Sequence, residues 1–155
     1  MNPTPHEQTR IAITRRFSAT PKLVWDCWTN PAHILRWFGS DPNGHGVSAQ
    51  ADLQPGANFE ITFSNADGTQ HTCTGTYADV RPHTNLSFTW RWKGTEEPES
   101  FVTIALTPHE AATEMRFEHT NLGHASSHDY AAGWQRTFDK LDRLLQTPSH
   151  LDMSS

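Results

Sequence analysis

Tyr130, Trp134, Phe138, Leu141 and Leu145 follow one another at steps of four, four, three and four residues. That spacing puts all five side chains on one face of an α-helix. Leu144 widens the stripe, while Arg136, Asp139, Lys140, Asp142 and Arg143 take the polar side. The pattern predicts a helix from about His128 to Gln146. A helix with so broad an aromatic face needs an equally broad apolar surface to lie on, and the rest of the chain has to supply it.

The supply is a set of strands. Ile11, Ile13 and Phe17 alternate with Arg10, Thr14 and Arg16, which predicts a first strand over Thr9 to Phe17. Thr20-Pro21 then reads as an N-cap followed by proline at the first helical position. That helix carries Val24, Trp25 and Trp28 and stops near Asn30-Pro31, because a residue before proline avoids the helical region. A second short helix holds Ile34, Leu35, Trp37 and Phe38 and ends at Gly39.

From Gly46 the period is two. Val47, Ala49, Ala51 and Leu53 form one alternating set; Phe59, Ile61 and Phe63 form the next. Asp67-Gly68 is a hairpin signal. A Thr-rich strand from His71 to Val80 has no clear inward face. Leu86, Phe88, Trp90 and Trp92, then Val102, Ile104 and Leu106, then Met115, Phe117 and His119 complete the inward sets. Seven strands, six of them consecutive in a meander, with two early helices and one long late helix predict a single α+β domain over residues 1–155, with its ordered core at about 9–147.

Composition narrows the function. The net charge of −5 argues against a nucleic-acid partner. No apolar run approaches a membrane span, and the polar N-terminus lacks a signal-peptide core. Cys27 and Cys73 are too few for a disulfide framework and lack metal-ligand spacing. A cytoplasmic protein without metal or cofactor, monomeric or homodimeric, is expected.

Apolar residues make up only 35% of the chain, but six Trp and eight Phe enlarge the area each buries. A curved sheet that wide is more than one helix can fill, so an interior space walled by aromatic rings is expected. Its walls would be Phe63, Phe88, Trp90, Trp92, Ile104, Met115, Phe117 and His119 from the strands and Tyr130, Trp134 and Phe138 from the last helix. Trp37 and Phe38 would stand at the rim as gate or plug. The opposite expectation is that the rings simply fill the volume.

Among polar candidates, His119 lies on an inward face, where an imidazole could donate to a ligand carbonyl or act as acid or base. Against that stands a histidine bonded to backbone or solvent. Ser127-His128-Asp129 has the letters of a triad in the wrong geometry, because triad side chains converge from separate elements. His124 and His128 are two ligands where zinc needs three or four. Glu60, Glu114 and Glu118 fall on outward faces.

Several motifs carry a resemblance. Phe17-Ser18-Ala19-Thr20-Pro21, Val24-Trp25, Trp28-Thr29-Asn30-Pro31 and Trp37-Phe38-Gly39 come first. Leu53-Gln54-Pro55-Gly56, Gly75-Thr76-Tyr77 and Leu86-Ser87-Phe88-Thr89-Trp90 follow, and Gly133-Trp134 with Leu141-Asp142-Arg143-Leu144-Leu145 closes the series. From about Arg10 to Gln146 the chain resembles the bacterial homologues of the activator of the heat-shock protein 90 ATPase, within the SRPBCC or START-like superfamily. The resemblance implies a helix-grip fold and a cavity for apolar molecules. It also implies two alternatives: a stress-response module that modulates a chaperone ATPase, or a polyketide cyclase or hydrolase-like enzyme using His119. The eukaryotic activator places much of its chaperone contact on a separate N-terminal domain, for which this chain has no room. The reading placed first is non-covalent binding of a small hydrophobic or aromatic molecule.

Overall fold

The computed structural model describes residues 10–39, 41–93, 99–121 and 127–146, the last segment with side chains from 131 onward. The chain order is β1 (Ile11–Phe17), α1 (Pro21–Thr29), α2 (Pro31–Trp37), β2 (His45–Ala51), β3 (Asn58–Ser64), β4 (Gln70–Arg81), β5 (Asn85–Trp92), β6 (Ser100–His109), β7 (Ala112–Thr120) and α3 (Ser127–Gln146). The seven strands form one antiparallel sheet in the order β1-β7-β6-β5-β4-β3-β2. Six are a meander, and β1 closes onto β7 with Ile13 opposite Phe117 and Ile11 opposite His119. This is the expected α+β, helix-grip architecture.

Local chemistry sets the helix boundaries. The Thr20 hydroxyl accepts the Leu23 N–H at 3.2 Å, and Pro21 begins α1. Asn30 ends α1 in an extended conformation and caps α2 by accepting the Ala32 N–H at 3.0 Å. Phe38 is already extended, and Gly39 turns away at φ +111°, a conformation that L side chains rarely adopt.

The inward sets of β1, β3, β5, β6 and β7 are buried as their alternation requires, save for Trp92 at the end of β5, which is half-buried. The unassigned face of β4 is now settled: Cys73, Gly75 and Tyr77 point inward. The Phe59 ring and the Thr89 carbonyl crowd Gly75 so closely that no Cβ fits there. Val47 departs from its alternating set. A bulge between Gly46 and Ser48 shifts the β2–β3 register, and Val47 is 43% exposed.

α3 lies on the inner face and is tied down at both sides. Arg15 projects inward from edge strand β1 and donates to the Gln135 carbonyl at 3.0 Å and to Asp139 at 2.8 Å. Across the helix, the Lys140 ammonium donates to the Asp41 carbonyl at 3.0 Å. The Asp41 side chain in turn accepts the Ala66 and Asn43 N–H groups, which hold its carboxyl below the usual range.

Candidate functional site

The space between α3 and the sheet is occupied by rings. Trp134 lies against Phe117 with centroids 4.7 Å apart, against Trp90 at 5.2 Å and against Phe138 at 5.5 Å. Trp28 enters from α1 and meets Trp37 at 4.9 Å and Phe138 at 6.1 Å. Phe38 contacts Trp37, Phe63, Trp90 and Trp134 at 5.4 to 5.9 Å. Edge-to-face and tilted pairs dominate, the geometry that ring quadrupoles favour.

Rings thus take up much of the space in which an open cavity was expected. Among the described residues, an apolar void lined by Trp28, Ile34, Phe38, Tyr77 and Trp90 among others measures about 10 Å³. That is room for roughly one oxygen-sized atom and far short of a benzene. The physical reason is that α1, α2 and the Phe38 segment fill the bowl together with α3. The expectation had the early helices close one end only, with Trp37 and Phe38 at the rim, and left Trp28 out of the volume.

At one point the cluster turns polar. His119 is wholly buried. Its Nδ1 lies 3.0 Å from the Trp134 indole nitrogen, and its Nε2 lies 2.6 Å from the Ser100 hydroxyl. Indole N–H can only donate, so Nδ1 must be the lone-pair nitrogen and Nε2 carries the proton. His119 then donates to Ser100, and the Ser100 hydroxyl donates in turn to the Trp90 carbonyl at 3.2 Å. Burial pushes the imidazole pKa down to about 3, which keeps it neutral. A Ser–His contact this short invites reading as a nucleophile and its base. The tautomer is the wrong one: a base for Ser100 needs its lone pair, not its proton, at Nε2. The arrangement instead joins α3 to β7, β6 and β5 through satisfied hydrogen bonds.

Elsewhere satisfaction fails. The Trp37 indole donates to the Cys27 carbonyl at 2.9 Å. The Trp28 and Trp90 indole N–H groups are buried with no acceptor among the described residues, and both residues line the 10 Å³ void with Phe38. A buried donor left without a partner costs about 1–3 kcal/mol.

Most residues expected in the site do come together. Trp37, Phe38, Phe63, Phe88, Trp90, Phe117, His119, Trp134 and Phe138 are buried and share ring contacts, and half-buried Trp92 touches Trp90 and Phe63. Ile104 and Met115 are buried in the same core but take no part in the ring network. The Tyr130 side chain lies outside the described residues, as do those of Ser127, His128 and Asp129, and His124 altogether.

Sequence reasoning missed Trp28, which touches Phe88, Phe117, Trp134 and Phe138 as well as Trp37. Its helical spacing from Trp25 placed it in a core, and no pattern could say how far it reached. Ser100 was missed too, since a serine opening a strand gives no signal. Tyr77 was hidden because glycine interrupts its inward set.

The opposite face of the sheet carries an open groove of about 430 Å³ lined by Gln50, Asn58, Glu60, Thr74, Thr76 and Arg91 among others. Its polar groups are engaged across strands: Glu60 pairs with Lys93 and Thr76 donates to Asn58. Glu114 and Glu118 likewise pair with Arg116 and Arg10 on the surface. Among the described residues no three His, Cys, Asp or Glu side chains gather as metal ligands. Cys27 and Cys73 are free and buried, and burial raises both thiol pKa values, that of Cys27 to about 12. No described helix is long and apolar enough to cross a membrane.

Known structures share this fold. Protein CV1439 from Chromobacterium violaceum is 22% identical, covers 88% of this chain and 96% of its own, and superposes with a TM-score of 0.80. The AHSA1-like protein from Aeromonas hydrophila is 23% identical over 90% of this chain and 94% of its own, with a TM-score of 0.79. CalU16 from Micromonospora echinospora is 24% identical over 94% and 80%, with a TM-score of 0.67. At these identities the likeness is one of fold. No curated protein sequence matches. The family model described as "Activator of Hsp90 ATPase homolog 1-like protein" matches residues 18–146, a span that takes in α1, α2, six of the seven strands and α3, and the chain belongs to that family.

Proposed function

We propose that the protein binds a small apolar or aromatic molecule between α3 and the sheet, and that Phe38 is the plug the ligand displaces. The observation that carries this reading is the placement of Phe38. Its ring sits in the centre of the cluster, yet its backbone belongs to the extended segment after α2, next to the left-handed turn at Gly39. A ring held by a connecting segment leaves at lower cost than one held by a strand or helix ladder. Its departure would free a benzene-sized space bounded by Trp37, Phe63, Trp90 and Trp134.

The two alternatives have less behind them. Chaperone modulation needs a surface for a protein partner, and among the described residues Val47 is the sole large apolar side chain exposed. Cyclase or hydrolase chemistry through His119 needs a free ring nitrogen, and both nitrogens are committed inside the protein.

Titration of the wild-type protein with benzene, indene and naphthalene, followed by tryptophan fluorescence, tests the reading. Saturable 1:1 quenching is expected. Trp134→Ala should weaken it, and Phe38→Ala should speed association by removing the plug. Absence of saturable binding by every arene to the wild-type protein would overturn the proposal, whatever the Phe38→Ala variant does with its engineered hole.

A further inference from the structure

From the two unpartnered indoles we infer that the void between Trp28 and Trp90 is the seat of a ligand's hydrogen-bond acceptor, so that the compartment selects neutral carbonyl compounds such as aryl ketones and quinones over plain hydrocarbons. The inference rests on the apolar-ligand reading above and specifies what that ligand must carry.

Three observations converge. The Trp28 and Trp90 N–H groups are buried without an acceptor among the described residues. Both residues line one void of about 10 Å³, the size of a single oxygen atom by the one-probe measure. Phe38 lines the same void, so a ligand body in the place of the Phe38 ring lies next to it. A carbonyl oxygen has two lone pairs and can accept from two donors at once.

Charge excludes the other common acceptor. The void is lined by Trp, Phe, Ile and Tyr77, with no Lys, Arg or His. The Tyr77 hydroxyl is kept neutral, its pKa raised by burial to about 12. An ionised carboxylate buried there would have no counter-charge and would be strongly disfavoured. A neutral carbonyl meets the donors without that cost. The contrast with Trp134 supports a vacant role for these two: an indole N–H in the same cluster that serves packing has its acceptor built in, at His119.

The test uses the isosteric pair acetophenone and α-methylstyrene, which differ by C=O against C=CH2. Hydrophobicity alone makes α-methylstyrene the tighter ligand. The inference expects the reverse in the wild-type protein, with acetophenone bound roughly tenfold tighter, as two modest hydrogen bonds would give. It also expects the carbonyl stretch of bound acetophenone at lower frequency than in an apolar solvent. Trp28→Phe and Trp90→Phe should each reduce the acetophenone to α-methylstyrene affinity ratio several-fold. Should one variant fail to fold, the other and the infrared shift still decide.

If both isosteres bind equally, or α-methylstyrene binds tighter, the acceptor seat is wrong while the apolar compartment stands. That result would also follow if a resident water held both donors. If neither binds, the compartment itself is wrong and the inference falls with it.

Discussion

Two places under the same helix, both built of tryptophan, treat their polar atoms in opposite ways. Around His119 the donors and acceptors form a closed chain from Trp134 through His119 and Ser100 to the Trp90 carbonyl. Around the void, Trp28 and Trp90 hold N–H groups that meet no acceptor among the described residues. Burial is equally deep at both, so depth does not explain the difference. A satisfied network specifies one arrangement of its elements, and here it sets where α3 rests. An unsatisfied pair stores a cost that a suitable guest would relieve. One site therefore reads as scaffold and the other as a place left for something else.

Acid should break the first site with the largest effect. The His119 pKa is depressed from 6.5 to about 3 in the folded protein, so the unfolded chain binds the extra proton between those values. The stability held by the neutral ring is complete above about pH 6.5. It falls as pH drops toward 3, by about 1.4 kcal/mol for each pH unit. Urea unfolding at pH 7, 5.5 and 4 measures this. His119→Gln, whose amide can accept from Trp134 and donate to Ser100, should flatten the slope by one proton. An unchanged slope in that variant would place the acid sensitivity elsewhere.

A matched pair of substitutions isolates the hydrogen bond. Trp134→Phe and Trp90→Phe remove the same volume from neighbouring places in the cluster. The first also removes the indole that donates to His119 Nδ1; the second removes a donor that has no acceptor among the described residues. Trp134→Phe should be more destabilising by about 1–3 kcal/mol, read from chemical denaturation. Equal losses would erase the distinction drawn between the two sites.

The smallest effect changes no stability and is seen only in the spectrum. In a 15N–1H correlation map, the indole N–H resonances of Trp37 and Trp134 should lie downfield as hydrogen-bonded donors. Those of Trp28 and Trp90 should lie upfield, and they should move downfield when acetophenone is added. Trp28 and Trp90 resonances already downfield in the free protein would mean that an acceptor is present.

Much of the fold was legible before any coordinates. The period-two sets at Phe59-Ile61-Phe63 and Leu86-Phe88-Trp90 each named an inward face, because strand side chains alternate whatever lies beside them. The steps from Trp134 to Leu145 named the buried side of α3 for the same geometric reason. Thr20-Pro21 and Asn30-Pro31 placed helix boundaries through local hydrogen bonding and the fixed φ of proline. Where the code was not local, the reading slipped. One extra residue in a bulge turned Val47 to solvent, and a glycine that admits the Phe59 ring hid the face of β4.

What the sequence by itself determined, then, is which side chains face inward and in what order the elements follow, since both depend on backbone period and on neighbours within a turn. Tertiary structure alone decided how full the interior is, because volume is a sum over elements distant in the chain. Trp28 of α1 and Phe38 after α2 meet Trp134 of α3 across about a hundred residues. It also decided the state of His119. A ring that could have been a base became a neutral link when an indole that can only donate came to rest on its Nδ1.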